Sequence, residues 1–179
     1  MKFEHSEYIK QAIEFAKVTN PIWPFATLIV NKQGKIICKA TDCAHISPIF
    51  HAETLAIHAL ILGNIKTQGN LTLYSTAEPD PMSQSAIHWA NIAHDFGINK
   101  IYFGTSLETI NLLWPFGISI PAKEIIQRAN SKIELIEHVE EEECNNLFRS
   151  ARTKQKMIDK LHPAKDTLSN KIEDFYQLL

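Results

Sequence analysis

The chain has 179 residues, of which 45% are hydrophobic and 21% are charged, and its formal net charge is −2 at pH 7. This size and composition are typical of one globular domain with a real core, and the charge excludes a strongly basic nucleic-acid-binding protein. The three cysteines are an odd number at scattered positions, which argues against a disulfide framework and favours a reducing, cytoplasmic setting. Because no segment approaches the roughly 18 apolar residues of a membrane span, and the N-terminal segment lacks the apolar run of a signal peptide, neither is expected.

The first part of the chain predicts a helix, a β-hairpin and a second helix. Apolar residues at helical spacing predict a helix over 3–18. The segments 26–31 and 35–40 flank a glycine-containing turn and predict two antiparallel strands. A polar loop over 41–50 leads to 52–63, which is apolar on most faces and therefore predicts a buried helix.

The middle of the chain predicts two further pairs of strand and helix. We expect a short buried strand over 71–76 and a helix over 83–97 that stops at a glycine. A strand over 100–105 and a short helix over 106–114 follow.

The last part of the chain is mainly helical. Helices are predicted over 121–129, 140–161 and 166–179, with a strand over 131–139 between the first two. A hairpin followed by alternating helices and strands predicts an α/β protein with a mixed sheet and helices on both faces.

His51 and Glu53 stand at the start of the helix predicted over 52–63. At a helix N-terminus both side chains can project beyond the positive end of the helix dipole. That arrangement suits a metal-bound water, because the imidazole can bind the metal while the carboxylate transfers protons for the water. A structural interpretation is also open, with Glu53 as a first-turn acid and His51 as a loop residue, since the pattern alone occurs often by chance.

A second turn into a helix follows the strand predicted over 71–76, and it reads Glu78-Pro79-Asp80-Pro81-Met82-Ser83. Zinc nucleobase deaminases carry H-x-E followed by P-C-x-x-C, with the His and both Cys on zinc and the Glu as the proton carrier. The order, the spacing and the strand–turn–helix context match. Asp80 and Ser83, however, occupy the two cysteine positions.

These motifs resemble the cytidine deaminase superfamily, and most of all its branch of guanine deaminases and transfer-RNA adenosine deaminases. The matching segments are Pro24-Phe25-Ala26, His51-Ala52-Glu53, Glu78-Pro79, Pro81-Met82 and Ala86-Ile87-His88-Trp89-Ala90. The resemblance implies a three-layer α/β/α sandwich around a five-stranded mixed sheet. It also implies a homodimer and the hydrolytic deamination of a purine or pyrimidine by zinc-activated water. We expect a deaminase-like domain over 1–151 and a C-terminal helical extension over 152–179.

The resemblance assigns roles at the metal site residue by residue. It makes His51 the zinc-binding imidazole and Glu53 the catalytic proton carrier, and it places Asp80 and Ser83 where two thiolates belong. Aspartate is an acceptable zinc ligand, but a serine hydroxyl does not deprotonate as a thiol does, so zinc affinity falls and harder divalent ions compete better.

The resemblance also indicates which residues contact the substrate. The branch often contacts the base with an asparagine on the loop after the second strand, where this chain offers Thr41 or Asp42. Trp23 and Phe25, near the first strand, are candidates to stack on a base, and Trp114 is a candidate to line the pocket.

The sequence allows two alternatives for the metal site. Cys43 or His45 in the preceding loop could supply a missing metal ligand. Conversely, Asp80 before a proline would cap the next helix by accepting a hydrogen bond from the Ser83 amide, with no metal at all. Trp89 is expected to pack against the sheet or a dimer partner.

The sequence therefore allows two main functions. One is a nucleobase or nucleoside deaminase whose atypical site holds zinc or another divalent ion. The other is an inactive, metal-free deaminase-fold protein that binds a ligand or acts as a dimeric interaction module. A third hypothesis is that the C-terminal helices bind a protein partner. A small molecule is favoured over nucleic acid or a membrane, and the resemblance places His58 and His88 on the helices of the dimer interface.

Overall fold

The computed structural model of the chain describes residues 5–161 except 66, 68 and 116. Within these residues the helices are α1 (His5–Thr19), α2 (Ala52–Leu62), α3 (Pro81–His94), α4 (Leu107–Leu113), α5 (Ala122–Arg128) and α6 (Glu141–Leu161). The strands are β1 (Ala26–Val30), β2 (Ile36–Thr41), β3 (Leu71–Ala77), β4 (Ile98–Thr105) and β5 (Glu134–Ile136).

The strands form one mixed sheet in the order β2-β1-β3-β4-β5. Strand β1 is antiparallel to both of its neighbours, whereas β3, β4 and β5 run parallel. All five residues of β1 are buried, as expected for a central strand that is covered on both faces. The predicted α/β class, with a five-stranded mixed sheet of the cytidine deaminase type, is confirmed.

Neighbouring residues of each central strand contribute to opposite layers of the sandwich, because side chains alternate across a sheet. Ile29 packs in a cluster with residues of α2, α3 and α5, while Leu28 packs with residues of α1 and α6. A third cluster around Trp114 and Phe148 closes one end of the molecule, where Trp23 and Phe25 join it. These layers complete the three-layer α/β/α sandwich.

One edge of the sheet gathers the elements that carry the predicted site. Strands β3 and β4 end there, and the antiparallel β1 begins there, with Ala26 donating its amide to the Thr76 hydroxyl (3.0 Å). The carboxyl ends of parallel strands are the usual place for ligand sites in α/β sheets. The residues before β1, the turn after β3 and the start of α2 therefore lie close together.

Several predicted boundaries differ from the structure. Helix α3 begins at Pro81, two residues before the predicted start at residue 83. It ends at His94, because Asp95 takes a left-handed conformation (φ 50°) before the predicted stop at Gly97 is reached. Strand β5 covers only three residues of the predicted 131–139, since His138 has a φ of 63° that extended chain cannot adopt. These changes leave the order of elements as predicted.

Helix α2 corrects a prediction about burial. It was expected to be buried on most faces, yet Leu62 is 84% exposed and His58 is exposed as well. The expectation failed because apolar residues on the outer face of a helix look the same in the sequence as core residues. Trp89 on α3 likewise faces away from the sheet and is 63% exposed.

The C-terminal part of the chain is described as far as residue 161. Helix α6 runs without interruption through the predicted boundary between 151 and 152, so the division into domain and extension stays a prediction. The helix predicted over 166–179 lies outside the described residues. No helix in the described part of the chain is long and apolar enough to cross a membrane.

Candidate functional site

A cavity of about 340 Å³ opens at the sheet edge that gathers β1, β3 and the start of α2. This volume lies at the lower end of the range for small-molecule sites. Eight of the residues singled out in the sequence line the cavity: Trp23, Phe25, Asp42, His51, Glu53, Asp80, Ser83 and Trp114. The structure thus brings these eight residues together at one cavity.

His51 and Asp80 face each other across the N-termini of two neighbouring helices. His51 directly precedes α2, Asp80 directly precedes α3, and the imidazole Nδ1 lies 3.2 Å from Asp80 Oδ2. This contact raises the pKa of His51. Burial favours a higher pKa for Asp80, but the hydrogen bonds from His51 and from the Ser83 amide outweigh it and hold the pKa below its ordinary value. The contact therefore favours the charged form of each side chain.

Asp80 is also the N-cap of α3. Its Oδ1 accepts a hydrogen bond from the Ser83 amide at 2.7 Å, and Pro81 follows at the first helical position. The capping interaction expected from the sequence is confirmed. Both oxygens of Asp80 thus have partners within the protein, one at the helix terminus and one on His51.

Glu53 is buried beneath this pair and receives two hydroxyl donors. Ser75 Oγ donates to Glu53 Oε1 at 2.7 Å, and Ser83 Oγ donates to Glu53 Oε2 at 3.2 Å. Burial raises the pKa of Glu53, while the Ser75 hydrogen bond acts in the opposite direction. Ser83 is therefore a hydrogen-bond donor to the carboxylate of the H-x-E motif.

The residues at this position do not fit the zinc site of a deaminase. Catalytic zinc takes three protein ligands, usually thiolate, imidazole or carboxylate. Here Ser83 offers a neutral hydroxyl that already donates to Glu53. Throughout the described part of the chain, no three His, Cys, Asp or Glu side chains are grouped so that they could hold a metal ion.

The preceding loop does not complete a ligand set either. His45 lines the cavity but belongs to no such group, and Cys43 is absent from the lining. The Cys43 amide instead donates to the Phe50 carbonyl at 2.8 Å, which closes the loop on itself.

Asp42 follows β2 directly, whereas Thr41, the other candidate for the substrate contact, is the last residue of β2 and does not line the cavity. Asp42 is 6% exposed, its Oδ1 accepts from the Ala44 amide at 2.9 Å, and burial raises its pKa. The Asp42 amide donates to the Phe25 carbonyl at 3.0 Å, which fixes this loop to the chain before β1. The side chain is thereby held at the wall of the cavity.

Trp23, Phe25 and Trp114 contribute aromatic rings to the lining, here called the aromatic wall. The rings of Trp23 and Trp114 have centroids 5.3 Å apart, and Phe25 packs on Phe148 at 4.8 Å. Trp114 is 2% exposed, and its indole Nε1–H has no hydrogen-bond partner in the described structure. A buried donor of this kind requires an explanation, because nearly all buried polar groups are paired.

Two residues of the site were missed in the sequence. Ser75 could have been noticed as a hydroxyl residue in an apolar strand. Glu78 accepts hydrogen bonds from the amides of Leu107 and Ala122, both at 2.8 Å, and so joins the starts of α4 and α5 to the turn after β3. Its partners are distant in the chain, and no local pattern identifies them.

The fold and the site together define a deaminase-type domain. Residues 2–105 match the family described as the cytidine and deoxycytidylate deaminase zinc-binding region, and the chain belongs to this family. The chain is also 28% identical, over 137 residues, to the probable cytosine deaminase of Schizosaccharomyces pombe (strain 972 / ATCC 24843). That match covers 72% of this chain and 80% of the relative.

Solved structures support the same fold. The guanine deaminase from Nitrosomonas europaea superposes with a TM-score of 0.66 at 16% identity, covering 86% of each chain. A transfer-RNA A34 deaminase, which edits A to I at the wobble position, superposes with a TM-score of 0.62 at 18% identity, covering 79% of this chain and 99% of its own. The resemblance to these two branches is confirmed.

Proposed function

We propose that the protein is a metal-free member of the deaminase family that binds a nucleobase or nucleoside and does not deaminate it. One observation carries the proposal: Asp80 and Ser83 are engaged as a helix cap, a partner of His51 and a donor to Glu53. A set of one imidazole, one engaged carboxylate and one neutral hydroxyl does not provide the anionic ligands that zinc prefers.

The cavity itself supports the binding part of the proposal. Its volume of about 340 Å³ suits a single base or nucleoside rather than a polymer. The aromatic wall provides a surface for a planar ring.

Glu53 favours the alternative, hydrolytic deamination by metal-activated water, since that reaction uses a glutamate to carry protons. In this chain the Glu53 carboxylate has a structural function as well, because two serine hydroxyls converge on it. Retention of the glutamate is therefore accounted for without catalysis.

Isothermal titration of the 179-residue protein with cytosine, cytidine and adenosine, with and without EDTA, tests the proposal. We expect binding that the chelator does not change and no release of ammonia. Trp23→Ala should weaken binding at least about tenfold by removing part of the aromatic wall, whereas Trp89→Ala, outside the cavity, should not. Ammonia release that requires a stoichiometric metal would contradict the proposal.

We further propose that the protein is a homodimer that associates through the outer face of α2 and α3. Leu62 on α2, with Trp89 and Ile92 on α3, are 84%, 63% and 62% exposed. Exposed apolar side chains on two packed helices are costly to leave in water, and we propose that a second copy of the same face covers them symmetrically.

A further inference from the structure

Two segments that are distant in the chain meet at the cavity. Trp23 and Phe25 lie between α1 and β1, whereas Asp42 begins the loop after β2. The antiparallel pairing of β1 with β2 stops at Ala26 and Thr41, so both lining segments lie just beyond the sheet. One backbone hydrogen bond joins them there, from the Asp42 amide to the Phe25 carbonyl (3.0 Å). A second link at another point restricts the rotation of one segment against the other.

The Asn20 side chain supplies this second link from outside the lining of the cavity. Its Nδ2 donates to the Asp42 carbonyl at 2.9 Å, and its Oδ1 accepts from the Trp23 amide at 3.0 Å. A backbone carbonyl can only accept and a backbone amide can only donate, so these two partners fix which end of the side-chain amide is the oxygen. Asn20 itself is half-buried and held at the end of α1, where its backbone amide donates to the Ala16 carbonyl at 2.9 Å.

An asparagine that follows a helix also has a local function as a turn residue. The contact of Asn20 with Trp23 is of this kind, because the two residues are three positions apart. The contact with Asp42 is not, because it spans 22 positions and reaches a different loop. The turn alone does not require this long-range hydrogen bond.

We infer that Asn20 is a positioning residue of the cavity, which holds the backbones of Trp23 and Asp42 at a fixed separation and thereby sets the affinity for a ligand. The ring of Trp23 packs on that of Trp114, with centroids 5.3 Å apart, so a shift of the Trp23 backbone moves part of the aromatic wall. A preorganised wall binds more tightly, because less ordering accompanies binding. This inference rests on the proposed ligand-binding function and identifies a residue outside the lining on which that function depends.

Calorimetric titration with cytidine and urea denaturation, both on the full chain, test the inference together. In Asn20→Ala both side-chain hydrogen bonds are lost, and cytidine should bind at least about fivefold more weakly. Asn31→Ala is the matched control, because Asn31 Oδ1 also contacts two backbone groups, the amides of Gln33 and Lys35. Asn31 follows the opposite end of β1, so its replacement should lower the urea midpoint and leave cytidine affinity unchanged. A merely structural function of Asn20 would give the same result in both variants.

Asn20→Asp separates the two contacts of the side chain. The remaining oxygen can still accept from the Trp23 amide, but the donor to the Asp42 carbonyl is replaced by a second oxygen. We expect cytidine binding to be weakened at least as much as in Asn20→Ala. Cytidine affinity equal to that of the native protein would show that the link to Asp42 has no effect on the cavity.

Hydrogen exchange tests the positioning without a ligand. Asn20→Ala should speed exchange at the amides of both Trp23 and Asp42, whereas Asn31→Ala should change neither. Unchanged cytidine affinity in Asn20→Ala, or unchanged exchange of its Asp42 amide, contradicts this inference alone. Failure of cytidine to bind the native protein contradicts the proposed function, and the exchange of the Asp42 amide then decides the inference. Circular dichroism of each variant confirms that the fold is intact.

Discussion

Asp80 and Ser83 both have partners within the protein, because Asp80 caps α3 and the Ser83 hydroxyl donates to Glu53. Asp80 before Pro81 is a strong local capping signal, so the hydrogen bond to the Ser83 amide could be predicted. The bond from Ser83 to Glu53 could not, because the two residues are 30 positions apart and only the packing of α2 against α3 brings them together. The helix cap could therefore be predicted from the sequence, whereas the hydrogen bond between α3 and α2 could not.

Removal of the Ser83 hydroxyl should destabilise the fold. In Ser83→Ala, Glu53 Oε2 loses its donor in a buried setting, and leaving a buried acceptor unpaired costs about 1–3 kcal/mol in the free energy of unfolding. Urea denaturation measures the change. Ser85→Ala, on the same helix, removes only a hydroxyl bonded to the Pro81 carbonyl and should change stability by less than about 0.5 kcal/mol. Equal effects of the two substitutions would show that the Glu53 contact contributes nothing.

Introduction of two cysteines at positions 80 and 83 should create a zinc site. In the double variant Asp80→Cys/Ser83→Cys, two thiolates join His51, and this gives the three protein ligands that zinc prefers. We expect about one zinc per chain after purification without chelators. Ser83→Cys/Ser85→Cys is a control with as many new thiols but a different arrangement, and it should bind substantially less. A double variant without zinc would mean that the backbone of the site has also diverged.

At the scale of elements, the turn after β3 organises three helices at once. The turn leads directly into α3. Its Glu78 carboxylate accepts hydrogen bonds from the first backbone amides of α4 and α5. The helices themselves were predictable from their apolar spacing and capping residues. Their attachment to one carboxylate was not, because an isolated glutamate before a proline gives no indication of distant backbone partners.

Glu78→Gln should loosen the starts of α4 and α5. The amide that replaces one carboxylate oxygen cannot accept a hydrogen bond, so one backbone N–H is left unpaired, at a cost of about 1–3 kcal/mol. Hydrogen exchange should show faster exchange at the amides of Leu107 or Ala122. Glu108→Gln on α4, which lies outside this network, is the matched control. Unchanged protection of both amides in Glu78→Gln would refute the organising role of Glu78.

At the scale of the molecule, the order of helices and strands specified the sandwich, since a hairpin followed by alternating elements has few ways to bury both faces of a sheet. The outer surface was harder to predict. Leu62 and Trp89 are large apolar residues of the kind found in protein cores. Only the three-dimensional arrangement shows that both are exposed.

Trp89→Asp should convert a dimer into a monomer, because it places a charge in the apolar face of α2 and α3. Size-exclusion chromatography with light scattering gives the mass directly. Val18→Asp introduces the same charge at a residue that is 82% exposed on α1, on the opposite layer of the sandwich, and should leave the mass of the native protein unchanged. A native protein that is monomeric at all concentrations would contradict the proposed dimer.

The central claim, that the family's metal position has become a hydrogen-bonded network, is tested most directly by the metal content of the native protein. The protein should be purified without chelators, supplied with zinc, manganese and iron in separate samples, dialysed and analysed by inductively coupled plasma mass spectrometry. The Asp80→Cys/Ser83→Cys variant serves as the reference. We predict far less than one metal per native chain in every sample. About one equivalent of any of these metals in the native protein, lost on mutation of His51 or Asp80, would contradict the claim.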